Sequence, residues 1–221
     1  MLGFKNGCYD LNGKEFVYGN VGYEFPDKKK CKMEYTEVKR FLRQVLPDKE
    51  TRRACLRAVA SCLGGGPDGN LYVIRGDGEN GKDMFQRLCM LTFGSLARVI
   101  PGSLLTQQSR DSNLLLEIEK CRQCWMYEPD TEVLGGNIKE LVSGERLNVL
   151  YGTVTPQFKI FMNCNTLPKF SERVTIFEFS TRFVDNPKAP NEMRRDPNLV
   201  KKLNGWVPAF MCMLLKYYKS I

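Results

Sequence analysis

The sequence predicts an α/β domain built around a phosphate-binding loop, and three observations predict it. From residue 71 onward, short apolar runs at 71–74, 124–128 and 158–165 alternate with helical stretches, the pattern of a sheet covered by helices. The residues after the first run, Gly76-Asp77-Gly78-Glu79-Asn80-Gly81-Lys82, have the G-x-x-x-x-G-K spacing and open a helix. A chain of 221 residues with 43% hydrophobic and 26% charged residues can form one domain with a sizeable core, with room for a small appended one.

Each element follows from its own signals. Residues 4–24 are rich in aromatics and punctuated by Asn-Gly and Gly-Asn, which predicts a small β-hairpin region closed by Pro26 and the run Lys28-Lys29-Lys30. Helices are expected at 33–45 and 49–62, the second capped by Asp48 after Pro47. The stretch Gly64-Gly65-Gly66-Pro67-Asp68-Gly69 then breaks the chain. This divides it into an N-terminal hairpin and helical region (1–66), a P-loop ATPase core (67–185) and a C-terminal helical segment (186–221).

Within the core, a strand at 71–74 leads through the loop into a helix at 81–91. Strands at 124–128 and 158–165 follow, with a helix at 137–141 and a hairpin between them. That hairpin runs 147–151 and returns through Gln157, with Gly152-Thr153-Val154-Thr155 as its tip. A last strand at 174–179 and a terminal helix at 198–218 complete the pattern, which contains no internal repeat.

Composition narrows the chemistry. The chain has no histidine, which excludes histidine-based nucleophilic or general-base catalysis. Nine cysteines scattered from Cys8 to Cys212 suggest reduced thiols in an intracellular, reducing compartment. Cys121 and Cys124 form a single C-x-x-C without the second pair that a zinc site needs. No apolar run approaches the ~20 residues of a membrane span, and the N-terminus has no signal core. The net charge of +8 invites a polyanionic partner.

The loop is where chemistry is expected. Glycines let backbone N–H groups approach phosphates, the helix N-terminus supplies positive potential, and Lys82 can reach the β and γ phosphates of ATP. A phosphate loop calls for an acid at the end of a neighbouring strand, and Glu128 supplies it, with Asp130 close by. The third strand ends in Asn163-Cys164-Asn165, which can place an amide beside the γ-phosphate. Each of these residues is also an ordinary turn former or surface group, so their value lies in agreement.

Asp83 stands where the loop usually has Ser or Thr. A carboxylate in the first turn of a helix gains about 0.3–1 kcal/mol from the helix dipole. It can also ligate Mg2+ directly, together with Glu128. Near a triphosphate it introduces a repulsion of about 4 kcal/mol for a unit pair ~4 Å apart at an effective dielectric of ~20. Nucleotide binding is therefore expected to be weakened and strongly Mg2+-dependent.

The ordered segments GDGENGK, EPD, IKELVSGE and FKIFMNCNTLP resemble those of superfamily 3 helicases, in particular the poxvirus-type primase-helicase ATPases of large DNA viruses, phages and plasmids. NGCYDL near the N-terminus and RFVDNP after the last strand are similar to segments of the same family, so the likeness covers nearly the whole chain. The resemblance implies an AAA+-like ring ATPase, usually a homo-hexamer, that threads single-stranded or forked DNA in replication and works beside a primase. It further implies that Lys82 is the phosphate lysine, Glu128 the Walker B acid and Asn165 the sensor. Lys139 would be the motif lysine near DNA. Arg173 would be a finger completing a neighbour's site, with Glu172 at the other position of the family's arginine pair. A weakened nucleotide- or DNA-binding scaffold is the alternative from another class, and a small-molecule kinase shares only the loop and strand.

Overall fold

The computed structural model describes residues 2–5, 7–9, 11, 21–24, 26–27, 29–106, 111–129, 133–150, 152–169 and 173–220. The N-terminal hairpin is tighter than the sequence suggests: β1 (Leu2–Phe4) pairs antiparallel with β2 (Gly7–Tyr9). Of the rest of the predicted hairpin region, residues 10 and 12–20 lie outside the described residues, while the Val21 N–H donates to the Gly3 carbonyl at 3.2 Å and the Lys5 N–H to that of Tyr23 at 3.0 Å. Two helices follow, α1 (Lys32–Val45) and α2 (Lys49–Ser61). Asp48 caps α2 as predicted, its carboxylate accepting from the Thr51 N–H at 2.7 Å.

The remaining elements are β3 (Leu71–Arg75), α3 (Lys82–Phe93), β4 (Ala97–Val99), α4 (Ser103–Thr106), α5 (Ser112–Ile118) and β5 (Gln123–Tyr127). Beyond them come α6 (Gly135–Ser143), β6 (Leu147–Val149), β7 (Gly152–Val154), β8 (Lys159–Cys164), β9 (Val174–Glu178), β10 (Arg182–Val184), β11 (Glu192–Arg194) and α7 (Leu199–Tyr218). The strand order is β4-β5-β8-β3-β9, every neighbouring pair parallel. A parallel sheet needs both faces covered, and β8 is buried along its whole length.

Strand alternation sorts side chains into two cores. Tyr72, Ile74, Trp125, Phe161 and Phe177 face one side and pack with residues of α1, α2, α3 and α7. On this face Trp125, Phe161, Tyr72 and Phe177 form a row of stacked rings with centroids 4.9, 5.0 and 5.9 Å apart. Leu71, Val73, Cys124, Met126, Ile160 and Met162 face the other side and pack with α4, α5, α6 and the β6–β7 hairpin. The first core draws residues from Leu2 to Leu215, so the N-terminal helices and α7 share it with the sheet. α7 carries Pro208 inside it and is tied to α1 by the Trp206 indole, which donates to Glu37 at 2.8 Å.

The glycine-rich linker before β3 is pinned to the amino end of the sheet. Lys159, almost wholly buried, donates to Asp68 at 2.7 Å, and the Tyr72 hydroxyl donates to the same carboxylate at 2.6 Å. Paired in this way, the buried ammonium avoids the cost of an isolated charge.

The tip predicted at Gly152–Thr155 is instead strand as far as Val154, where Gly152 already pairs with Val149 of β6. The sequence reading also missed β4, α4, α5, β10 and β11, all of seven residues or fewer. Such segments hold too few residues to show a period.

Candidate nucleotide site

The glycine-rich loop leaves the carboxyl end of β3, the side of a parallel sheet where crevices form. Two glycines are required there. A Cβ at Gly76 would lie 1.8 Å from Asn80 Nδ2 and 2.8 Å from the Phe179 carbonyl oxygen. Gly81 has φ +83° immediately before α3, and its Cβ would meet Val45 at 2.6 Å. Glu79 is the one non-glycine with positive φ among the described residues, at +50°.

That unfavourable backbone is held from outside the loop. The Glu79 carbonyl accepts from the Phe183 N–H at 2.7 Å, and its carboxylate pairs with Arg195 and, at 3.7 Å, with Arg182. Arg195 also donates to the Phe183 carbonyl at 3.3 Å. β10 and the segment after β11 thus clamp the loop tip. The sequence reading missed this clamp, because nothing local to RFVDNP or to Arg195 points back to Glu79.

Inside the loop, no N–H group from Asp77 to Gly81 donates to another protein group among the described residues. Asn80 is buried, and its Nδ2 has no partner there. Its Oδ1 accepts from the Lys82 N–H at 3.3 Å. Unpaired N–H donors on a glycine-rich curve at a helix N-terminus fit an anion.

Lys82 is buried, with 8% of its surface exposed, and its ammonium donates to the Gly76 carbonyl at 2.8 Å and to Asn165 Oδ1 at 2.6 Å. Glu128, just past β5, accepts through one carboxylate oxygen from the N–H groups of Asn165 at 3.0 Å and Thr166 at 3.3 Å. Lys82, Glu128 and Asn165 thus come together beyond the carboxyl ends of the neighbouring strands β3, β5 and β8. Asp83 stands beside them: Asn163 Nδ2 approaches its carboxylate at 3.5 Å and donates to Gln86 at 2.6 Å. Burial and the Glu128 charge push the Cys164 thiol up to about 11.

Among the described residues no cluster of three or more acidic, Cys or His side chains could by itself hold a metal ion. Asp83 and Glu128 fit the sparser requirement of Mg2+, which commonly takes one or two carboxylates and draws its other ligands from phosphates and water. Asp130 and Glu172 lie outside the described residues. Lys139 is exposed on α6. Arg173 sits at the opposite end of the sheet from the loop, its carbonyl accepting from the Leu71 N–H at 3.1 Å, and so does not join this chain's own site.

Two cavities flank the loop. One of about 660 Å³ lies between the loop and the β9–β10 connection, lined by Arg75, Gly78, Glu178 and Arg182. The other, of about 510 Å³, lies between Gly81, Met84 and α1 on one side and Phe183, Leu199 and Trp206 on the other.

A five-stranded parallel sheet, covered by helices and carrying a glycine-rich loop at the end of an inner strand, is the class that fold and site define. No family model matches the chain. Over its whole length it is 28% identical to "Putative helicase L207/L206" of Acanthamoeba polyphaga mimivirus, covering 27% of that protein. It is 26% identical to "Putative helicase 022R" of Frog virus 3, with 89% of this chain and 24% of that protein covered. The chain therefore spans about a quarter of the length of these curated relatives. Among solved structures it is similar to the apo C-terminal region of NrS-1, with a TM-score of 0.62 and 13% identity over 96% of this chain and 49% of that one. The fold is thus shared with the NrS-1 C-terminal region, and in sequence the chain is similar to proteins named putative helicases of large DNA viruses.

Proposed function

We propose that this chain is an ATP-dependent DNA helicase subunit of the superfamily 3 type, acting in viral DNA replication with ATP and Mg2+. The observation that carries the reading is the convergence of Lys82, Asn165 and Glu128 at one end of the sheet. Lys82 would take the β and γ phosphates, and the loop N–H groups the remaining phosphate oxygens. Glu128 would orient the attacking water and accept its proton, with Asn165 aligned on the γ-phosphate. Asp83 and Glu128 would hold the metal, which neutralises charge on the phosphates when bound. The apolar walls given by Met84, Phe183 and Trp206 suit a base.

Arg173, remote from its own loop, would serve as a finger for the next copy in a homo-hexameric ring. Lys139, exposed on α6, would face DNA, and a separate primase would be a partner. Asp83 motivates the second reading, a nucleotide- or DNA-binding scaffold with little turnover.

The test is Mg2+-dependent ATP hydrolysis, with and without single-stranded DNA, in the native chain, Lys82→Ala and Asp83→Ser. Native activity abolished by Lys82→Ala supports the motor. Hydrolysis by Asp83→Ser alone moves the assignment to the scaffold.

A further inference from the structure

Away from the loop, α1, α2 and the last turns of α7 enclose a groove of about 510 Å³. Lys39 and Arg43 of α1, Lys49 and Arg57 of α2 and Lys216 of α7 line it, and no acidic side chain does. All five are exposed, and among the described residues none pairs with a carboxylate. Their neighbours are engaged: Arg53 pairs with Glu50 at 3.4 Å, and the Arg52 guanidinium donates to the Leu46 and Pro47 carbonyls that end α1. The floor is apolar, formed by Leu42, Leu56 and Met213, and two half-buried rings, Tyr35 and Tyr217, stand in the walls.

Five unpaired cations within one concavity repel one another, and folding gains nothing from gathering them. The arrangement fits a polyanion, whose counterions such a patch would release. Charge alone would suit an acidic peptide equally well. The two rings decide the matter, because each base of a nucleic acid has a face that stacks on an aromatic side chain, whereas acidic side chains have none.

The geometry points to a single-stranded nucleic-acid site in this groove, with Lys39, Arg43, Lys49, Arg57 and Lys216 on the phosphates and Tyr35 and Tyr217 under the bases. It shares a class of partner with the motor reading but none of its residues: no loop residue lines the groove. Strand held here would be gripped whether or not nucleotide is hydrolysed.

The experiment is fluorescence anisotropy of labelled oligothymidylate over a salt series, comparing the native chain with Arg43→Glu/Arg57→Glu and with Tyr217→Ala. Loss of two phosphate contacts should lower affinity at least about tenfold and reduce the slope of log K against log salt by about 1.4. Tyr217→Ala should lower affinity roughly tenfold at any salt, while Tyr217→Phe keeps it. Unchanged melting temperatures would show that the variants fold. Oligothymidylate binding that is absent in the native chain, or indifferent to the charge reversal, overturns the site. So does displacement by polyglutamate of equal charge combined with indifference to Tyr217→Ala, which would make the groove a docking surface for acidic protein. A chain that binds DNA here yet hydrolyses no ATP sinks the motor and leaves this site standing. The reverse outcome sinks this site alone.

Discussion

Lys82, in the first turn of α3, and Asn165, just past the end of β8, meet directly: the ammonium donates to the amide oxygen at 2.6 Å across 83 positions of sequence. The same Asn165 is fixed through its backbone N–H by Glu128. A cation at the start of α3, an amide just past β8 and a carboxylate just past β5 therefore act as one unit. Displacing any of them alters the environment of the other two.

Removing members of such a unit should give non-additive losses. Lys82→Ala is expected to reduce ATP hydrolysis to a small residual rate and weaken nucleotide binding. Asn165→Ala should lower kcat about 100-fold, the scale for a single positioned polar group, with nucleotide affinity little changed. The double variant should lose scarcely more than Lys82→Ala alone. Steady-state kinetics beside equilibrium nucleotide titration would check this, and fully additive losses would show that the two groups act independently.

Asp83 makes the metal dependence of binding diagnostic. Without Mg2+, Asp83→Ser should bind ATP at least about tenfold more tightly than the native chain, because it relieves a repulsion of up to about 4 kcal/mol. With saturating Mg2+ the gap should close or invert if the carboxylate then serves as a ligand, as proposed. Titration calorimetry in EDTA and in Mg2+ reads both arms. Equal affinities in EDTA would mean that the carboxylate points away from the phosphates.

The clamp on Glu79 separates binding from folding. Exposed ion pairs contribute about 0–1 kcal/mol to stability, so Arg195→Ala should leave the melting temperature nearly unchanged. Glu79 would nevertheless lose the guanidinium that ties its carboxylate to the segment after β11, leaving only the Phe183 N–H on its left-handed backbone. Nucleotide affinity should then fall about threefold to tenfold, the cost of a loop no longer pre-organised. A large drop in melting temperature would instead make Arg195 a structural tie.

Alkaline pH should destabilise the fold through its buried thiols. Burial pushes Cys62 up to about 12, with Asp68 adding to the rise against the pull of Lys159, and Cys164 is pushed up to about 11. In the unfolded chain both ionise near the ordinary value of 9.0. Between these values the folded state holds more protons than the unfolded one, so stability falls as pH rises. The contribution is complete below pH 9.0 and is lost on the way to about 11–12. Melting curves at successive pH values should show the decline, and Cys62→Ala should make it shallower without abolishing it.

The parts legible in the sequence were those with a local signature. The loop, the strands after which Glu128 and Asn165 stand, and the long helices all carry spacing or periodicity within a dozen residues. The ends of α3 and α2 moved by only one or two residues, the scale on which helix ends fray. What escaped was long-range: the Arg195–Glu79 clamp spans 116 positions, and Asn163–Gln86 spans 77. The groove between α1, α2 and α7 was also invisible, because its cations come from segments that meet only when α7 folds back on the N-terminal helices.

Arg173 lies far from the glycine-rich loop of its own chain. β3 runs from the Leu71 end, where Arg173 lies, to Arg75, where the loop begins. Five residues of strand span roughly 16 Å, too far for the guanidinium to touch phosphates bound to Lys82 of the same chain. If Arg173 completes a neighbour's site, Arg173→Ala should lower hydrolysis by about 10³-fold while sparing nucleotide binding. Mixing should then recover activity from two inactive proteins. At an interface where an Arg173→Ala chain contributes its intact loop and a Lys82→Ala chain contributes its intact arginine, every required group is present. Equal mixing should therefore restore a substantial fraction of native hydrolysis, measured after subunit exchange. Recovery requires action between subunits, and a mixture as inactive as its components would remove Arg173 from the site.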